Sequence, residues 1–172
     1  MDLWTVIEGR YSARHFVPAE VSESTVQRIL EAAIRAPSAG NRQPWHFIVV
    51  RNAEVKRALA TAAYGQDFVA AAPVVIVVCA DPERSATRYG DRGRELYCLQ
   101  DTAAATEHIL LAATALGLGG CWVGAFDEQA AARALALPGH LRPVAMVPIG
   151  QPARSTRRTP RRALSEVVSL LE

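Results

Sequence analysis

Lysine is almost missing from this chain: its 172 residues hold one, Lys56, against 18 arginines. Arginine grips phosphate and carboxylate with a planar fork where lysine acts as a point charge. The bias therefore has a chemical reading beside the bland one of genomic base composition. A dominant charge is missing as well. The net charge is only +2, which argues against a protein dedicated to binding polyanions. Cysteine is scarce. Cys79, Cys98 and Cys121 are odd in number, widely spaced and without a CxxC pair. That pattern predicts a reducing, cytoplasmic setting, with each thiol a small buried hydrophobe in an apolar run. The longest apolar run, residues 68–80, is too short for a bilayer and contains Pro73. The opening MDLWTVIEGR has neither the basic nor the apolar region of a signal peptide. No membrane partner is expected.

Motifs for several chemistries are missing too. There is no GxxxxGK[ST] for phosphate binding and no GxSxG nucleophile elbow. His15, His46, His108 and His140 show no ligand spacing, so no metal is expected. GLGGCW (117–122) resembles a dinucleotide fingerprint but puts Trp122 where the third glycine belongs, and it leaves a helix instead of a strand. A Rossmann NAD site is therefore not expected.

Half of the residues are apolar, enough for a core, and the length fits one domain over 1–172. Helices are predicted over 2–9, capped by Asp2 and ended by Gly9, and over 22–37, with Ser24 and Gln27 as a capping box. Others are predicted over 52–65 behind Asn52, over 96–117, and over 127–137 behind Asp127. The alanine-rich 96–117 helix should pack closely on another helix. Strands are predicted over 45–51, 73–80, 119–126 and 143–150. The polar stretch 81–95 reads as a surface loop, and 164–171 as a short helix after an extended tail. Strands alternating with helices point to an α/β or α+β sandwich; strand order is not legible.

Four pieces can hold a ligand. RYSAR (10–14) sets two guanidinium groups and a hydroxyl on alternate residues, which share one side of an extended segment. They suit a phosphate or carboxylate, or else surface salt bridges. APSAGNRQPWHF (36–47) fixes its path with Pro37, Gly40 and Pro44 and offers Ser38, Asn41 and Gln43. It is either a polar rim for a planar heteroaromatic ring or an ordinary turn. LGLGGCWVG (116–124) places Gly119 and Gly120 where a backbone can approach a ring edge. Gly117 serves there as a helix C-cap, and Trp122 is expected in the core. RSTRRTPRR (154–162) is either a nucleic-acid patch or a tail that folds an arginine back onto a phosphate held by the body. A near-neutral chain without interleaved aromatics favours the second.

Taken together and in this order, these pieces resemble the nitroreductase family of flavin enzymes. RYSAR is similar to its Arg-x-Ser-x-Arg motif, and APSAGNRQPW to its Pro-Ser-Ser-x-Asn-x-Gln-Pro-Trp pattern. LGLGGCWVG and PRRALSEVV match its third and fourth motifs, so the likeness runs over nearly the whole chain. The resemblance implies an α+β three-layer sandwich, helices packed on a mostly antiparallel sheet, in an intertwined homodimer with FMN at the subunit interface. It implies Arg10, Ser12 and Arg14 on the phosphate and ribityl side, and Pro37, Ser38 and Asn41 of the other subunit along the ring. Gln66 would reach the ring or ribityl, Gly119 and Gly120 would lie near the far ring edge, and Arg162, with Arg161 beside it, would close on the phosphate. It implies an NADH- or NADPH-dependent oxidoreductase that reduces nitroaromatics, quinones or flavins by a ping-pong mechanism. No catalytic side chain is named, because the flavin carries the chemistry. Ala39 departs from the second motif's second serine, and the short chain lacks the helical excursion of larger members. Reductive dehalogenation and flavin fragmentation use the same scaffold and are the alternatives within the resemblance. An RNA-binding module using the arginine tail is the alternative from another class.

Overall fold

The computed structural model describes residues 2–153 and 159–171, and short polar side chains start five of its helices. Asp2 accepts from the Trp4 and Thr5 amides to open α1 (Leu3–Gly9), and Ser22 accepts from Thr25 to open α2 (Glu23–Ala33). β1 (Trp45–Val50) follows, then α3 (Ala53–Ala62) behind the Asn52 cap and α4 (Asp67–Ala71). β2 (Val74–Ala80) leads to α5 (Pro82–Arg92), where Asp81 accepts from Arg84 and Pro82 takes the first turn. One wide turn, Gly93–Tyr97, passes into α6 (Cys98–Ala115). β3 (Gly119–Gly120), α7 (Glu128–Ala134) behind Asp127, and β4 (Arg142–Gly150) complete the body.

The strands form one antiparallel sheet in the order β1-β2-β4-β3. β2 is buried along its whole length, and its alternation feeds two cores. Val75, Val77 and Cys79 face α3, α4 and α7, together with Met146 of β4. Val74, Ile76 and Val78 face α2 and α6, together with Ala145, Val147 and Ile149. Helices therefore cover both faces, which is the three-layer α+β sandwich expected. Each fully buried Val, Ile or Leu side chain here contributes about 1.5–3 kcal/mol relative to exposure. Small residues along α6, Ala105 and Ala113 among them, let it pack closely on α2 and the sheet.

The structure corrects five local expectations. The cap of α2 is Ser22, two residues before the expected Ser24. Residues 81–95 are not a loop but α5 and the start of the wide turn, because Asp81 and Pro82 supply a strong helix start. The strand expected over 119–126 shrinks to Gly119–Gly120 plus an isolated bridge from Val123 to Met146. Trp122 is not core but 39% exposed, since the chain turns its neighbours Cys121 and Val123 inward instead. The tail helix is a single turn, Leu164–Glu166, on a segment with no buried residue to anchor it. Of the arginine tail, residues 154–158 lie outside the described residues.

Candidate functional site

Residues 12–17 run as an added extended segment along the sheet's β3 edge. Ser12 bridges Gly120, the Ala13 amide donates to the Gly120 carbonyl at 3.0 Å, and Phe16 bridges Pro152. Alternation then sorts the side chains. Ala13 turns inward and is buried, so Arg10, Ser12 and Arg14 share the other side. Gly119 makes this possible, because a Cβ there would sit 2.6 Å from the Ala13 side chain. The close approach that the glycine permits is thus to the arginine segment itself.

The buried Cys121 thiol lies one residue beyond Gly120, which Ser12 bridges. Burial raises the Cys121 thiol pKa, while the charges of Arg14 and Arg10 and hydrogen bonding to Ser12 and Arg14 oppose that rise. Arg10 makes only a long ion pair to Glu107, 3.9 Å. Arg14 stacks over the Phe68 ring at 5.8 Å and has no carboxylate within ion-pair reach among the described residues. Positive charge with spare donors is therefore held at this corner. Arg14, Gln66 and Phe68 line an adjoining cleft of about 780 Å³, where Gln66 Nε2 donates to the carbonyls of Ala63 and Ala125.

The second ligand piece is built by strain. Gly40, Asn41 and Gln43 all have φ between 51° and 54°, a region that costs a non-glycine residue about 1–3 kcal/mol when it is forced. Side chains hold the loop in that shape: the Gln43 amide donates to Ser38 Oγ at 3.0 Å, and Gln43 Nε2 donates to Asn41 Oδ1 at 3.1 Å. Pro37 and Asn41 are exposed and Ser38 is half-buried. From below, Asp101 of α6 accepts from the Ala39 amide at 3.0 Å.

Sequence reasoning missed Asp101. The residue is 6% exposed, and among the described residues its Oδ2 has no hydrogen-bond partner. Burial raises its pKa, and the Ala39 hydrogen bond opposes this only in part. The folded state thus holds the proton more tightly than the unfolded chain. Stability from this source is full below pH 3.8 and is lost as pH rises through the folded value. Asp101→Asn keeps the acceptor and should remove that pH slope, which thermal melts between pH 4 and 8 will show. Asp101→Ala should cost about 1–3 kcal/mol by orphaning the Ala39 amide.

The two ligand pieces lie at opposite corners of the sheet. Trp45, next to the strained loop, pairs across to Ala80 and Arg142, whereas Gly120 pairs with Ile149. Three strand spacings and seven residues of β4 place these backbones on the order of 25–30 Å apart. α6 gives the same measure, since Asp101 sits in its first turn and Gly119 lies beyond its last; that span is roughly 25 Å. Arg10, Ser12, Arg14, Gly119 and Gly120 form one corner, Gln66 borders it, and Pro37, Ser38 and Asn41 form the other. Arg162 joins neither: its Nε donates to Glu166 at 3.2 Å on the exposed tail, and Arg161 bonds the carbonyls of Thr159 and Pro160.

A four-stranded antiparallel sheet between helical layers, with a basic corner seated on glycines, defines the class as a three-layer α+β sandwich. A solved nitroreductase family protein from Clostridium novyi NT has this architecture at a TM-score of 0.81 and 37% identity, over 88% of this chain and 86% of that one. The family model "Nitroreductase family" matches residues 7–66 and 61–151. The chain is 33% identical to an NADH dehydrogenase of Thermus thermophilus, covering 98% of this chain and 95% of the relative. It is 31% identical to an FMN reductase [NAD(P)H] of Bacillus subtilis, over 87% of this chain and 66% of the relative. The chain belongs to the nitroreductase family.

Proposed function

We propose that the protein is an FMN-dependent oxidoreductase that uses NADH or NADPH to reduce nitroaromatic, quinone or flavin-type acceptors. The observation that carries this reading is the edge segment in which Ser12 bridges Gly120 and Ala13 is buried, so that Arg10, Ser12 and Arg14 share its other side. Two guanidinium forks and a hydroxyl, with one distant carboxylate between them among the described residues, have the donor chemistry of a phosphomonoester site. FMN, when bound, supplies the two-electron redox chemistry. The chain's own residues bind and orient. Arg10, Ser12 and Arg14 take the phosphate and ribityl side, Gln66 borders them, and Gly119 and Gly120 keep the strand edge low. Pro37, Ser38 and Asn41 line the ring.

The separation of the two corners supports a homodimer in which a second copy brings its own loop to the first copy's arginines. Exposed apolar residues on α1 (Leu3, Trp4, Ile7) and on the tail (Leu164, Val167, Leu170, Leu171) fit a partner surface. In that assembly Arg162 closes on the phosphate. Residues 1–172 act as one domain, and substrate and reductant occupy one cleft in turn, which gives ping-pong kinetics. Cys79, Cys98 and Cys121 are all free thiols, and burial pushes Cys79 to about 12. The free thiols fit the reducing, cytoplasmic setting we assign. Among the described residues, no helix is long and apolar enough to cross a membrane.

The test is an absorbance spectrum of the purified protein, before and after added FMN, followed by anaerobic titration with NADH and NADPH. About one flavin per chain, bleached by the nucleotide, is the expected result. A colourless protein that ignores FMN overturns the reading.

A further inference from the structure

We propose that Arg88 and Arg92 form a subsite for a substrate phosphate, above all the 2′-phosphate that distinguishes NADPH from NADH. This rests on the flavin reading above, because the subsite sits on the loop assigned to the ring.

The segment from α5 through the wide turn carries four arginines, and their partners sort them. Arg84 donates to the Arg42 carbonyl at 2.6 Å, while Arg42 donates back to the Arg84 carbonyl at 2.9 Å and to Thr87. These two clasp α5 to the strained loop. Arg94 pairs with Glu83 at 2.8 Å and Asp91 at 2.7 Å, and Asp81 accepts from the Arg84 amide. Among the described residues Arg88 and Arg92 have no carboxylate partner, and the exposed Glu95 pairs with neither.

Both are nonetheless held in place. The Arg88 guanidinium lies over the Tyr89 ring at 5.5 Å, and Arg92 lies over Tyr97 at 5.3 Å. Arg92 Nε donates to Tyr97 Oη at 2.9 Å. The two rings meet edge to face at 5.1 Å, so one aromatic block carries both cations. Stacking restricts the long side chains in advance, which lowers the ordering cost of binding. Among the described residues no acceptor takes a donor of Arg88, and Arg92 gives only Nε to Tyr97, so both keep guanidinium donors of the kind a dianionic phosphate accepts from.

The location ties the block to the site. A methyl on Gly40 would meet the Tyr89 hydroxyl and lie 3.3 Å from Cδ and Cζ of Arg88. Arg88 therefore rests on the loop that carries Ser38 and Asn41. A substrate stacked above that loop would lead its charged end to these two forks.

The test uses the FMN-loaded protein and two pairs of probes that differ by one phosphate. Calorimetry of NADP+ and NAD+ should show tighter NADP+ binding. Arg88→Ala and Arg92→Ala should each weaken NADP+ by roughly tenfold to a hundredfold, with NAD+ little changed. Arg88→Lys, which keeps the charge but not the fork, should fall between. Flavin content, read by absorbance, should stay at the wild-type level, which separates failure here from failure of the flavin reading. The second pair is FMN and riboflavin as acceptors, compared by kcat/KM. Discrimination confined to that pair, and lost in the variants, would keep the phosphate subsite and assign it to the acceptor. Equal handling of both members in both pairs overturns the proposal. So does discrimination that survives both alanine variants, or loss of flavin from either.

Discussion

Arg10→Ala combined with Arg14→Ala is expected to lower FMN affinity by roughly a thousandfold with little change in stability. Each arginine supplies charge-assisted hydrogen bonds to the phosphate, worth about 1.5–3 kcal/mol apiece. The pair therefore supplies about 3–6 kcal/mol, two to four decades in Kd. The fold should not register the loss. Arg10 has one ion pair, at 3.9 Å with a half-exposed partner, and such pairs contribute about 0–1 kcal/mol. Arg14 is exposed and stacks over the Phe68 ring, a contact that anchors little of the fold. The edge that positions both comes from Ala13, Gly119 and Gly120, which the variants leave alone. Titration of FMN by fluorescence quenching, beside a thermal melt, separates the two effects. Single variants should each lose roughly tenfold to a hundredfold. Unchanged affinity in both singles would remove the phosphate from this corner.

What the sequence made legible follows from where the signal is local. β2 reads as a strand because all of its residues are apolar and most are β-branched. α1, α3 and α7 read as helices because Asp2, Asn52 and Asp127 announce them. RYSAR was readable because alternation alone puts its three polar groups on one side. α5 was misread because it buries only Ser85 and so lacks the apolar period that marks a helix; Asp81–Pro82 was the signal available. Ser22 and Ser24 compete for one cap, and geometry decides between them. Asp101 lies 62 residues from the amide that it holds, and nothing near it in the chain marks it. The tyrosine block depends on the kink at Gly90, whose φ of 54° breaks the helical spacing between Arg88 and Arg92. The diagonal placement of the two corners follows from the order β1-β2-β4-β3, which no local pattern encodes.

That diagonal leads to the second large effect, a complementation between two defective chains. One chain carries Arg10→Ala and Arg14→Ala. The other carries Ser38→Ala and Asn41→Gly, glycine being chosen because Asn41 has φ 54° and a Cβ there is strained. If each flavin site takes its arginines from one copy and its loop from the other, both homodimers have two damaged sites and bind FMN poorly. A mixed dimer concentrates both defects in one site and leaves the other intact. Co-expression with two different affinity tags, followed by purification on both, isolates that mixed dimer. It should hold about one FMN per dimer with near wild-type affinity, and neither parent should match it. A site built within a single chain predicts the opposite. Each chain would then carry its own lesion into the mixture, and the doubly tagged species would bind no better than its parents. Failure of any doubly tagged species to form would count equally against a shared site, because corners on the order of 25–30 Å apart in one chain need a second copy to meet.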